Sequence, residues 1–567
     1  MALVDSTEVV VIGGGPVGLA SVIQLGRAGV RAVLLERRAT FSRHPKAGAI
    51  HPRTMEIFRQ WGVADRVRES GGGDGSMSFS WVTRLTGIEL GTLTMCSDPK
   101  ERELFYNWSP ELVCLCGQDV YEPILADLAR TYSSIEIRLG CQMQSITQDS
   151  ERVFVEYKDN EGRTARIEAR YAIGSDGVRS LTKEALGIQE DALPSLSHSI
   201  NVLFEAPLDP YRAGRTYGIF WIVNGDTRGA LFWKRRGDLW SYNFDVRAGE
   251  DPQSYTADRC AELIRAAVGA EGLPVKIHSM LHWQRDQAVT KQWRKGRVFL
   301  AGDAAHRFPP SGGFGMNSGV QDSQNLSWKL IARLRWGAGD ALLDSYEAER
   351  LPVARFNSEQ TVIASRRLGE MWAPLRDAQA LADIEKPSGE LLRNKIAASI
   401  PKQRDELYSQ GQQFGRIYQS TAVMDDGTQA RESTVSEYHP TGHPGARATH
   451  FWLNGNDGRR LSSIDLYDGG FKVFTGIHGS CWIEACREIP RVLSVSISGV
   501  QIGTAGFQPA AGQEDWTSVF EIEDSGAVLI RPDGHIAARW KRGSAQASAL
   551  LIAALRQVLS IDDARAD

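Results

Sequence analysis

Apolar and polar positions change their period several times along the chain, and those changes mark its elements. Glu8-Val9-Val10-Val11-Ile12 is a β-branched run, the texture of a strand buried on both faces. It is followed by Gly13-Gly14-Gly15-Pro16-Val17-Gly18, after which Leu19, Val22, Ile23 and Gly26 fall at i, i+3, i+4, i+7 and predict a helix ending at Gly29. Ala32-Val33-Leu34-Leu35 reads as a second strand closed by Glu36. Between about 185 and 285 the pattern shifts to short aromatic-rich runs, such as Arg215–Trp221 and Gly229–Trp233, separated by Gly and Asp turns; these predict an antiparallel sheet. Arg297–Asp303 returns to the buried-strand texture, and Leu326, Leu330 and Leu334 predict a helix after it. Residues 388–410 read as a polar, solvated helix, and the chain beyond 411 as further short strands without a glycine-rich loop of their own.

This alternation of strand and helix, interrupted by a sheet-like insert, predicts an α/β protein. The expected division is a dinucleotide-binding domain over 1–184 and 286–410, with connecting helices, a substrate-binding sheet domain over 185–285 and a C-terminal domain over 411–567. A chain of 567 residues is too long for one core. Its net charge of −4 excludes the basic footprint of a nucleic-acid binder. No apolar run approaches the roughly 18 residues needed to span a bilayer, and no secretory signal pattern opens the chain, so a cytoplasmic protein without membrane contact is expected. The seven scattered cysteines form no CxxC pair and predict neither a disulfide framework nor a metal site.

Three segments carry chemistry. Gly13-x-Gly15-x-x-Gly18, with Pro16 inside it, lies between strand and helix, and Glu36 follows eighteen positions after the last glycine. Glycines permit the tight turn and let a pyrophosphate approach the backbone at the helix N-terminus, while the acid can accept ribose hydroxyls. Asp176-Gly177 ends an apolar strand. Asp303 ends another and precedes Pro309-Pro310 and Gly312-Gly313-Phe-Gly315-Met316-Asn317, which offers a carboxylate for a polyol and a row of free N–H groups beside a helix start.

In this order and spacing the motifs resemble the single-component (class A) flavoprotein aromatic hydroxylases, in the branch of phenol 2-monooxygenase, 2,4-dichlorophenol 6-monooxygenase and the polyketide hydroxylases. The likeness extends to His44-Pro-Lys46-Ala, Gln118-Asp-x-x-Glu122-Pro, Tyr346-Glu-x-Glu349-Arg350, Pro444-Gly-Ala-Arg447 and Arg531-Pro-Asp533-Gly-His535. It implies a Rossmann-like FAD-binding domain, an inserted antiparallel sheet and a thioredoxin-like C-terminal domain. It implies FAD, with NADPH or NADH as co-substrate, and hydroxylation of a phenolic ring by O2 through a flavin C4a-hydroperoxide. The FAD contacts it implies are Gly13, Gly15, Pro16, Gly18, Glu36, Arg37, Lys46, Gln118, Asp176, Gly177, Asp303, Pro310, Gly313, Gly315, Met316 and Asn317. For the substrate, Tyr217, Trp221, Trp233 and Pro309 are the candidates; no catalytic base is marked by spacing. Thr182-Lys183 departs from the family's usual Val-Arg, and Lys46 from a frequent Arg. The alternatives are a Baeyer–Villiger or epoxidising monooxygenase acting on a polyketide-like substrate, and a flavin- or phenol-binding protein without turnover. A homodimer is compatible with the family.

Overall fold

The computed structural model describes residues 4–561 apart from 74, 196, 235–236 and 373–380. Strand Val4–Ile12 forms the centre of an eight-stranded sheet, paired in parallel with Ala32–Glu36 on one side and Thr164–Gly174 on the other. Val9, Val10 and Val11 are fully buried, as a strand with apolar side chains on both faces requires. Helix Pro16–Arg27 follows the glycine-rich turn and packs on Gln118–Arg130 and Phe314–Arg335. The predicted strand near 297 is Val298–Leu300, which extends the parallel sheet beside Thr164–Gly174.

A second sheet has seven strands, in the order Lys276–Gln284, His198–Glu205, Leu239–Asp245, Gly229–Trp233, Ile219–Ile222, Met77–Val82 and Glu89–Met95. Its last two strands come from the stretch assigned by pattern to the dinucleotide-binding domain, and Met77–Val82 joins parallel to Ile219–Ile222 in an otherwise antiparallel sheet. Long-range pairing of this kind leaves no mark on local periodicity. One face packs Phe220, Leu231, Trp240 and Tyr242 against helix Ala257–Val268, an element the aromatic texture did not predict. The opposite face looks toward the parallel sheet.

The polar stretch at 388–410 contains helix Glu390–Ser399, which is not simply solvated: Leu392 and Ile396 are buried against the outer strands of the second sheet. At the C-terminal end, Phe471–Thr475 and Ile497–Gln501 are parallel and connected by helix Ser480–Val492. Ala527–Ile530 and Ile536–Trp540 add antiparallel, and helix Ala547–Val558 packs beside the first helix, which is the thioredoxin-like arrangement. All seven cysteines are free thiols. Cys481 and Cys486 share helix Ser480–Val492, and burial pushes the Cys486 thiol up to about 12, so a thiolate there is disfavoured. Among the described residues no helix is long and apolar enough to cross a membrane, and no group of His, Cys, Asp or Glu is placed to hold a metal ion.

Candidate active site

One cleft of about 1390 Å3 runs from the glycine-rich turn to the underside of the seven-stranded sheet. Single-ligand pockets are typically about 300–1,000 Å3, so this space accommodates more than one flat ligand.

At its first end, Gly13 has φ +105°, and a Cβ there would lie 2.3 Å from the Ser175 carbonyl oxygen. A Cβ on Gly18 would lie 1.9 Å from the Gly13 carbonyl oxygen. Those two glycines are demanded by the protein's own packing. Gly15 differs: a Cβ would meet nothing within 4 Å, because the residue caps helix Pro16–Arg27 at the open cleft. The backbone N–H groups of that turn therefore meet a space left for a ligand. Glu36 lines the same end; its Oε2 accepts from the Gly14 N–H at 2.7 Å, and its Oε1 accepts from the Arg38 N–H and Nε at 2.8 Å each. A carboxylate oxygen accepts more than one donor, so Oε2 retains capacity for a hydroxyl. Arg37, Lys46 and Gln118 also line the cleft. Gln118 donates to Glu122 Oε1 at 2.5 Å, and burial draws the Lys46 pKa down despite Glu122, Asp303 and Glu36 nearby.

Asp303 sits on the turn Gly302–Ala304 after strand Val298–Leu300, deep in the molecule yet with its side chain open to the cleft. Loss of water raises its pKa, against the pull of His306, Arg307 and Lys46. Pro309, Pro310, Gly313, Gly315 and Met316 line the next stretch of wall, where Gly312 and Gly313 both have φ +73° and turn the chain into helix Phe314–Arg335. Asn317 does not line the cleft: its Oδ1 accepts from the His51 N–H at 2.8 Å, and its Nδ2 donates to Ala49 and Gly313 carbonyls at 2.9 and 2.7 Å. It fixes the loop that presents its neighbours.

Asp176 and Gly177 line the cleft, but the Asp176 carboxylate is engaged locally, accepting from Ser180 Oγ at 2.5 Å and from Thr182 N–H and Oγ1 at 3.0 Å each. Thr182 thus supplies a bond that the family's usual Val cannot. Lys183 pairs with Glu190, which also holds Arg307 through 2.8 and 3.0 Å bonds. These two cations keep the Glu190 pKa down at about 2. His306 is buried between Trp293 and Phe308, with Nε2 2.6 Å from Asp322 Oδ2, and Asp322 in turn accepts from Arg350 Nε at 2.8 Å. It shapes the loop from behind.

The substrate candidates divide by face. Trp221 lines the cleft, together with Phe232. Tyr217 lies on the far side, packed edge-on against Phe220; it precedes strand Ile219–Ile222, so the alternation that keeps Ile219 and Trp221 on one face does not extend to it. Trp233 reaches the cleft rim but packs mainly behind the sheet, with Trp240 at 6.2 Å and the Arg212 guanidinium at 4.6 Å. Sequence reasoning missed Met77, Phe79 and Met95 on the apolar wall, and Asn201, Ser241 and Asn243 on the polar one. A signal for the latter exists: Leu239–Asp245 alternates Trp240, Tyr242, Phe244 with Ser241, Asn243, Asp245.

Comparison with known proteins matches this geometry. Residues 6–361 match the model of the FAD binding domain family, and residues 441–560 that of the aromatic-ring hydroxylase C-terminal domain. The chain is 32% identical to the 2,4-dichlorophenol 6-monooxygenase of Delftia acidovorans, covering 99% of both chains. It is also 32% identical to the tetracenomycin A2 monooxygenase-dioxygenase of Streptomyces glaucescens, covering 98% of this chain and 97% of that one. The flavin-dependent monooxygenase PieE, solved in complex with FAD and substrate, superposes with a TM-score of 0.90 at 29% identity, over 98% of this chain and 99% of that one. The glycine cradle, the open Gly15 and the cleft-facing Asp303 fit the flavin that those matches imply, and the chain belongs to the FAD-dependent aromatic-ring hydroxylases.

Proposed function

We propose that this enzyme hydroxylates a phenolic ring of a flat aromatic substrate, using NAD(P)H and O2. The observation that carries the reading is the single cleft, in which a dinucleotide cradle opens without a partition onto a wall of Trp221, Phe232, Phe79, Met77 and Met95. Such a wall takes a planar apolar ring.

Gly13, Gly15, Pro16 and Gly18 would hold the FAD pyrophosphate at the helix N-terminus, with Glu36 and Arg37 at the adenosine end. Gln118, Lys46 and Asp303 would meet the phosphates and ribityl chain, and Asp176-Gly177 would support the same region through backbone groups. Sugar hydroxyls would donate to the cleft-facing Asp303 carboxylate. Pro310, Gly313, Gly315 and Met316 would edge the ring system, and the N-terminal N–H groups of Phe314–Arg335 would favour negative charge there. Bound FAD supplies hydride acceptance and oxygen activation.

The chain's own residues orient the substrate and keep it dry. Trp221 and Phe232 fix the ring plane, and Pro309 limits approach from the loop side. Leu407 and Leu368 close the apolar flank against water, which protects reactive species from bulk solvent. Lys234 also lines the cleft, with its Nζ 5.4 Å from the Phe232 ring centroid; a cation there favours the ionised form of a phenolic hydroxyl. The use of NAD(P)H favours a cytoplasmic setting.

The test is NADPH and NADH oxidation by the FAD-loaded enzyme across a panel of monocyclic and polycyclic phenols, with product mass and structure read in parallel. A stimulated rate and a phenol heavier by one oxygen support the proposal. A ring-expanded lactone or an epoxide replaces it with the Baeyer–Villiger or epoxidising alternative, and absence of any oxidation sinks it.

A further inference from the structure

The cleft-facing side of the seven-stranded sheet is divided in two. The strands Gly229–Trp233, Ile219–Ile222 and Met77–Val82 present Phe232, Trp221 and Phe79, whereas His198–Glu205 and Leu239–Asp245 present Asn201, Ser241 and Asn243. Polar side chains on a buried sheet face are costly unless something satisfies them. Ser241 is fully buried and its Oγ has no hydrogen-bond partner among the described residues; the same holds for the buried Asn243 Oδ1.

Asn201 stands directly across the antiparallel pair from Asn243, at the roughly 4.5–5.5 Å between Cβ atoms that such pairing imposes. Its orientation is set from the parallel-sheet side of the molecule. His44, buried in the segment after strand Ala32–Glu36, places Nε2 3.1 Å from Asn201 Oδ1 and Nδ1 2.8 Å from Ser279 Oγ. An amide oxygen only accepts, so Nε2 carries the proton and Nδ1 accepts from the serine hydroxyl. Burial draws the His44 pKa down and keeps the ring in this neutral form. With Oδ1 committed, Asn201 has its Nδ2 donor left to offer, on the same cleft-lining sheet face as the acceptor Asn243 Oδ1.

We propose that Asn201, Asn243 and Ser241 form a subsite for a neutral hydroxyl on the aromatic substrate, one that donates to Asn243 Oδ1 and accepts from Asn201 Nδ2. Ser241, two residues along the same strand face, receives a second polar substituent roughly 6.5–7 Å away. An ionised oxygen would lose its bond to Asn243 and face a carbonyl dipole. The anchored hydroxyl is therefore distinct from the one whose ionisation activates the ring, and the substrate class is a polyhydroxylated or hydroxy-carbonyl aromatic. His44 is a positioning residue that acts through Asn201. The inference rests on the proposal that the cleft takes an aromatic substrate.

It is tested on the FAD-loaded enzyme without NADPH, by titrating 2-naphthol and 2-methoxynaphthalene and following the flavin absorbance. The ether keeps the rings and the acceptor oxygen but cannot donate. The wild-type enzyme is expected to bind the naphthol about tenfold or more tightly over the ether. Asn243→Leu should reduce that preference to within twofold, and Asn243→Asp, which retains an acceptor, should keep it. FAD content and melting temperature establish that each variant is folded; if Asn243→Leu fails that check, Asn243→Ala, which also removes the acceptor, replaces it with the same expectation. Equal affinity for both ligands in the wild type, or a preference that survives in Asn243→Leu, overturns the inference. Binding is read apart from turnover, so a hydroxyl preference in an enzyme that hydroxylates no phenol would leave the subsite standing and remove the proposed reaction, and the converse result would do the reverse.

Discussion

Glu349 offers the sharpest perturbation outside the cleft. Its carboxylate is fully buried and accepts five hydrogen bonds, all of 2.6–2.9 Å, from Asn325, Lys329, Ser420 and both terminal nitrogens of Arg531. Arg531 also pairs with Asp533, which accepts from the Trp328 indole N–H at 3.1 Å. The cluster contains two anions and two cations, and it clamps helix Ala341–Trp372 to the end of strand Ala527–Ile530. Glu349→Gln leaves one buried positive charge uncompensated, which costs about 3–5 kcal/mol. For a unit of C-terminal size, each kcal/mol moves Tm by about 2–4 °C, so a fall of roughly 6–20 °C in its transition is expected. The penalty should also depend on pH. Lys329 already titrates at about 8, lowered by burial and held up chiefly by Glu349. Without Glu349 it deprotonates lower still and removes the stray charge, so the loss shrinks as pH rises toward and above 8. Scanning calorimetry from pH 6.5 to 9 reads both effects. The double variant Glu349→Leu/Arg531→Met restores neutrality and should recover much of the loss. A Glu349→Gln variant within about 1 °C of wild type at pH 7 would refute the reasoning.

The two kinds of glycine in the turn should respond differently. Gly18→Val forces a Cβ onto the Gly13 carbonyl and should prevent folding, whereas Gly15→Val, which meets open space, should fold with a near-native apoprotein Tm and fail to retain FAD; absorbance near the flavin maximum and circular dichroism distinguish them. Asp303→Ala should likewise lower FAD retention, by about tenfold or more in Kd, read by fluorescence of released flavin. Three buried histidines, His51, His450 and His535, have pKa values drawn down to about 4 by burial. The unfolded chain then binds more protons between about 4 and 6.5, so stability is full above about 6.5 and falls as pH drops through that window, by up to about 3 kcal/mol per histidine. Urea titrations at pH 7 and 5 measure this, and His450→Gln, which keeps a donor toward the Tyr106 carbonyl, should lessen the slope; an unchanged slope would count against the assignment.

Much of this protein is written locally. The run Val9–Ile12 can only be a doubly covered strand, the side-chain position of Gly18 is occupied by the Gly13 carbonyl, and Gly15 caps a helix, each within a few consecutive residues, whereas Gly13 makes room for the distant Ser175 carbonyl. The family motifs are likewise contiguous, so FAD chemistry was legible. Their physical meaning was less so. Asn317 and the Asp176 carboxylate serve hydrogen bonds inside the protein, and Glu349, Arg447 and Arg531 serve buried ion pairs, with Arg447 paired to Glu56. What only the tertiary structure decided is which residues share a space. The strands Met77–Val82 and Glu89–Met95 join a sheet whose other members lie over a hundred residues away, and Tyr217 and Trp221 part to opposite faces of it. Strand pairing of that range, and the docking of His44 against Asn201, depend on contacts between distant segments, and no local period records which face a distant segment will cover.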